Sequence, residues 1–221
     1  MADDLKHVLQ RTQDLDEAIV NILDPETYEL CDDSDRVAAT FTACSVSLEH
    51  GDAVRILMEA GCPTSAISLV RLQHEAIARA NWFLYAASDA AIEKVQAPLT
   101  TASEKAANSL LGLSDMLTAL AGKGPPGATE MLIEFKNVIG KSLNSYVHSG
   151  IHAIQRHHEG HPMSLLIDAV RNSNGLRVMT AMMLAILSGD EVMAKRMSKI
   201  QPGFADCLPI LLPRPAPPSS R

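Results

Sequence analysis

Arg156 and His161 are separated by four residues in the run Arg156-His157-His158-Glu159-Gly160-His161. On a helix this spacing sets a guanidinium and an imidazole about one turn apart. Such a pair can hold a phosphodiester, with Arg on the phosphate oxygens and His as acid or base. Gly160 interrupts the turn that would align them. Upstream, His148 and His152 are spaced i, i+4, which can chelate a metal ion. A zinc site normally takes a third protein ligand, and no H-E-x-x-H or C-x-x-C frames these two, so no metal is assigned. Projected as one helix, Lys141, Asn144, Ser145, His148, Ser149, His152 and Arg156 share a polar face opposite Leu143, Val147, Ile151 and Ile154.

A second constellation lies in the segment around Arg71. Arg71, Glu75 and Arg79 form an i, i+4, i+8 line, so Glu75 can pair with either guanidinium, and Trp82 could stack on one. Two readings stand: a narrow solvated strip with weak ion pairs, or a polar seam inside a bundle that organises a ligand. The seam takes in Asn144, Tyr146 and His148 if the two clusters meet. His74 falls on another side, where a core or interface histidine is expected. The chain contains no G-x-S-x-G elbow, no G-K-[ST] phosphate loop, no G-x-G-x-x-G after a strand and no paired E-x-x-H, and no cofactor is assigned.

These side chains must be carried by helices. The pattern predicts helices over Asp4–Leu23, Asp35–Ala60 and Thr64–Ser88, with Pro25, Gly61 and Pro63 as punctuation. A short helix covers Asp89–Val95. A fifth, capped by Ser103, carries Ala106, Leu110, Leu113, Leu117 and Leu120 on one stripe and ends at Gly122. After the turn Gly122–Gly127, a stretch from Thr129 to His158 is open to bending or splitting at Gly140 and Gly150. A pair over Pro162–Asn172 and Leu176–Leu187 and a last helix over Asp190–Ile200 complete the series. No segment alternates as a strand does. The expected fold is all-α, a multi-helix up-down bundle around the apolar third helix. A helical domain over 1–201, opening with an acidic helix and connector (1–34), precedes a flexible Pro-rich tail from 202.

An R-x-x-x-E helix (Arg71, Glu75) followed by S-Y-V-H-S-G (Ser145 to Gly150) resembles bacterial all-helical families of unknown function that are HEPN-like. The resemblance spans roughly residues 35–190 by helix order. It implies a helical bundle that dimerises, in a toxin, phage-defence or RNA-processing setting, with RNA or a protein antitoxin as partner. The activity implied is metal-independent RNA cleavage at a composite site. Arg156 and His161 match the family's R-x4-6-H motif, with His152 nearby. The alternatives are a non-catalytic ligand-binding protein using the polar seam, or an oligomeric scaffold with Met179, Met182 and Met183 as its patch.

Composition bounds these readings. With 47% hydrophobic residues, the chain has the apolar content for a core; with only 4% aromatics it lacks the usual strand formers. The net charge of −7 is uneven. Residues 1–35 hold eleven acids and two bases, whereas 136–199 hold eight bases, four acids and five of the eight His. Net charge therefore leaves room for a local anion-facing patch. Four scattered cysteines, no secretory signal and no apolar run longer than Val178–Leu187 lead us to expect reduced thiols, a cytoplasmic location and no membrane partner.

Overall fold

The computed structural model describes residues 2–98, 100 and 110–210. Among them the chain is helical throughout, with no strand: α1 (Ala2–Leu23), α2 (Asp35–Glu59), α3 (Pro63–Tyr85), α4 (Asp89–Gln96), α5 (Leu113–Leu120), α6 (Pro126–Val147), α7 (Ile151–Glu159), α8 (Met163–Leu187) and α9 (Glu191–Met197), then a 3-10 turn at Gln201–Phe204. Ser34, Ser88 and Asp190 cap α2, α4 and α9 with their side chains. Gly61 closes the α2–α3 turn at φ 72°, in the left-handed region open to glycine.

The third helix is the axis of the bundle. It packs against α2, α5, α6, α7 and α8. Its apolar positions Ala66, Ile67, Val70, Ala76, Ile77, Ala80 and Phe83 are buried. Leu72, also on the expected apolar arc, is 36% exposed. Trp82 does not stack on a guanidinium; it is buried with its ring 5.4 Å from Phe83. His74 is fully buried, donates from Nε2 to the Leu132 carbonyl at 3.0 Å and lies 4.4 Å from the Phe135 ring.

Several boundaries differ from the sequence expectation, each for a local reason. The stretch 129–158 splits at Ser149, which adopts φ 51°, and Gly150, while Gly140 stays helical. A Cβ on Gly150 would meet Ser145 Oγ at 2.7 Å, and that same hydroxyl accepts from the His152 backbone N–H at 3.1 Å. The split removes the single-helix projection that set His148 and His152 on one face. By contrast α8 runs unbroken through Asn174-Gly175. That glycine lets the C-terminal strap cross closely, since a Cβ there would lie 2.9 Å from Pro209 Cγ. Residues expected in the tail from 202 include Cys207 and Leu208, both buried, because Asn174 Nδ2 holds the Cys207 carbonyl at 2.9 Å. The Ser103 cap and Ala106 lie outside the described residues, as does the tail from 211. Met183, expected on an interface patch, is in the core.

A polar network threads this core. Arg177 on α8 sits 2.8 Å from Asp16 of α1 and 2.7 Å from Asp52 of α2. Beside it Gln73 Nε2 donates to the Ser173 carbonyl at 3.1 Å, and Ser173 Oγ donates to Gln73 Oε1 at 2.7 Å. Gly51 makes room for both, because a Cβ there would lie 2.8 Å from Gln73 Nε2 and 3.0 Å from Arg177 Nη2. Ser47 and Thr180 share a hydrogen bond of 2.9 Å in the same layer.

A half-buried carboxyl and a buried imidazole oppose each other in acid. Burial pushes the Asp16 carboxyl up to about 6 despite Arg177, so its contribution to stability declines as pH rises from 3.8 through 6. Burial pushes His74 down to about 4, so its contribution is present above 6.5 and is lost as pH falls to 4. Between pH 4 and 6 the two slopes offset. Asp16→Asn is expected to steepen the acid loss of stability, and His74→Leu to flatten or reverse it. Urea midpoints measured across this range decide the matter; parallel pH profiles for both variants and the parent would contradict it.

Candidate functional site

The constellation around Arg71 is assembled as the spacing suggested, and Asn144 joins it from another helix. Glu75 is clamped by Arg71 (Nη1 to Oε2, 2.9 Å) and by Arg79 (Nη2 to Oε1, 3.2 Å). Arg71 Nε donates to Asn144 Oδ1 of α6 at 3.0 Å. Arg79 Nη1 reaches the Leu111 carbonyl at 3.4 Å. The seam therefore ties α3 to α6 and to the approach of α5. All three charged side chains are half-buried. Each has a partner within the protein, so the network as it stands is a clasp.

Tyr146 and His148 stand apart from that clasp. His148 caps the C-terminal end of α6 through its backbone, and its side chain is exposed. Tyr146 is buried, with its ring 6.3 Å from His161. It belongs to a second corner, where α7 and the turn after it meet the first turn of α3. There Thr64 Oγ1 lies 3.3 Å from His157 Nδ1 and 3.4 Å from His161 Nε2. Gly160 interrupts the helix as expected, ending α7 at φ 93°, and His161 beyond it lies against Thr64 and Tyr146. The guanidinium of Arg156, half-buried, makes no hydrogen bond or ion pair with the described residues. His152 lies one turn before it on α7 and is exposed.

Electrostatics favour an uncharged imidazole in this corner. Burial, then the neighbouring His157 and Arg156, hold His161 below the ordinary histidine range. Burial raises the Tyr146 phenol, with Arg156 pulling the other way, so the hydroxyl keeps its proton. The corner thus gathers a free guanidinium, two imidazoles sharing one hydroxyl, and a phenol. This set can hold an anion and move a proton. Among the described residues, no three His, Cys, Asp or Glu side chains are grouped so as to hold a metal ion. Thr64 was invisible to motif reading because it lies 93 residues from His157. His157 was seen only as a residue inside the Arg156–His161 interval.

A third feature had no sequence signal. Between α3, α6 and α8 opens an apolar cleft of about 480 Å³, floored by Val70, Leu143 and Leu176 and rimmed by Glu134, Asp168 and Arg171. Tyr146 contributes to its wall and so separates the cleft from the Arg156 corner.

The clasp makes a direct prediction. Glu75→Gln removes the only charge between two half-buried guanidinium groups, and should cost roughly 1–3 kcal/mol. Denaturant midpoints at low salt test this; an unchanged midpoint would return the trio to a solvated strip.

No curated protein and no solved structure matches the chain. Residues 44–210, covering α3 to α9 and most of α2, match the model of a family of unknown function, DUF6988, and the chain belongs to that family.

Proposed function

We propose that the corner formed by Arg156, His157, His161 and Thr64 binds a phosphodiester, and that the protein is a metal-independent RNA-processing module acting as a dimer. The observation that carries this reading is the junction at Thr64. Two imidazoles converge there beside an unpaired guanidinium, and desolvation keeps His161 neutral. The HEPN-like pattern of Arg71, Glu75 and Ser145–Gly150 supports the same setting, a toxin or phage-defence system with RNA or a protein antitoxin as partner. Ile151 and Ile154 on α7 are 64% and 63% exposed, which gives the helix bearing Arg156 an apolar side suited to a second copy.

The chemistry follows from the groups present. Arg156 holds the non-bridging phosphate oxygens. Neutral His161 takes the proton of a ribose 2′-hydroxyl as that oxygen bonds to phosphorus. The bond from phosphorus to the 5′-oxygen breaks, and the departing oxygen takes a proton from His157 as general acid. The products are a 2′,3′-cyclic phosphate and a 5′-hydroxyl. His152, one turn from Arg156, extends the polar face toward the RNA strand.

Purified parent, Arg156→Ala and His161→Ala proteins incubated with RNA in the presence of a chelator test this reading. Cleavage by the parent should fall by roughly 10²–10⁴ in His161→Ala, with Arg156→Ala also impaired. Equal cleavage by all three, or none by the parent, ends it. A second expectation concerns pH. The catalytic base must be unprotonated and His161 titrates below 6.5, so the acid limb of the rate should lie below that value. An acid limb above it assigns the base elsewhere.

A non-catalytic binding protein or scaffold is the second reading, favoured by the closed clasp at Glu75, whose charges are already paired. It predicts an intact dimer or ligand response from a parent that cleaves nothing.

A further inference from the structure

The apolar cleft lies on the path of the chain's own C-terminal strap. That strap is tightly held up to its last described residues. Arg171 Nη2 donates to the Asp206 carbonyl at 3.2 Å, Asn174 Nδ2 to the Cys207 carbonyl at 2.9 Å, and Pro209 rests on Gly175. Cys207 and Leu208 are buried, and then Ile210, at the edge of the cleft, is 82% exposed. Residues 211–221 lie outside the described part of the structure.

We propose that the cleft is the docking site of the chain's own Leu211–Leu212 pair, with Arg214 set against its acidic mouth. Three observations meet here. First, the strap delivers the chain to the rim, so the next two residues, at about 3.3–3.6 Å each, need no detour to enter. Second, the walls (Ile67, Val70, Phe135, Leu143, Leu176, Met179) suit leucine side chains, and about 480 Å³ is ample room for two. Third, Glu134 of α6 and Asp168 of α8 make no hydrogen bond or ion pair with the described residues. Arg171, the cation on the same rim, turns Nη2 to the Asp206 backbone carbonyl, and the rim carries two carboxylates to its one guanidinium. Arg214, two residues past the leucines, supplies the missing charge. The inference is independent of any activity at the Arg156 corner.

The test uses the full chain carrying Leu211→Ser and Leu212→Ser together, with Arg214→Glu as a separate variant. An environment-sensitive apolar dye reads exposure of the cleft. Docking predicts a severalfold rise in dye binding for the double variant and a smaller rise for Arg214→Glu. A peptide of residues 211–221 added in trans should reverse both, and the parent's low signal should not change on dilution. If the leucines stay outside the cleft, removing them lowers the apolar surface, so a fall or no change in dye binding overturns the proposal. That result leaves the cleft to a small amphipathic molecule. A parent signal that climbs on dilution overturns it differently, by assigning the segment to a second copy's cleft.

Discussion

A single buried cation sets the register of the bundle. Arg177 projects from the middle of α8 into a layer where α1, α2 and α3 converge, and Asp16 and Asp52 reach it from two of those helices. A guanidinium withdrawn from water tolerates little displacement of its carboxylates, because an unpaired charge there costs several kcal/mol. Gly51 and Gln73 share the tight space around it. Sliding any of these helices by a turn would strand a charge. Hydrophobic burial alone supplies no such positional preference, since alanine-rich faces pack in several registers.

The elements follow from that anchor. With α3 held by Gln73 and Ser173, its opposite side presents Arg71, Glu75 and Arg79 to α6, and Asn144 completes the clasp. With α6 so held, its C-terminal end and the turn at Ser149–Gly150 bring α7 to the first turn of α3. The corner at Thr64 is therefore positioned by a chain of polar contacts that starts in the core. The cleft beside it is the space left where α3, α6 and α8 diverge.

How much of this was legible in the residues depended on whether the signal was local. The Arg71–Glu75–Arg79 line is a helix-spacing signal, and both guanidinium groups pair with Glu75. Helix identity was readable from apolar periodicity, and the proline and glycine marks around α2 and α3 fell where expected. Asp16, Asp52 and Arg177 carry no mutual spacing at all, so each looks like an ordinary charge until the helices pack. Glycines were read with mixed success. Gly175 reads as a break but serves close approach, whereas Gly160 reads as a disruption and does end α7. Backbone freedom can be seen in a sequence; the use made of it depends on what lies across the turn.

The strap that crosses Gly175 also touches the other end of the chain. Arg11 of α1 holds Asp206 and the Gly203 carbonyl, His7 reaches Asp206, and Asn174 bonds both Thr12 and the Cys207 carbonyl. In synthesis α1 thus waits for residues as far on as Asp206 before these contacts can form. Synthesis at about 5–20 residues per second makes that wait roughly 10–40 seconds, long beside helix formation. During this interval the helices between them can assemble around α3 without the first. The N-terminal helix then joins as a late closure, shut from the far end like a clasped ring.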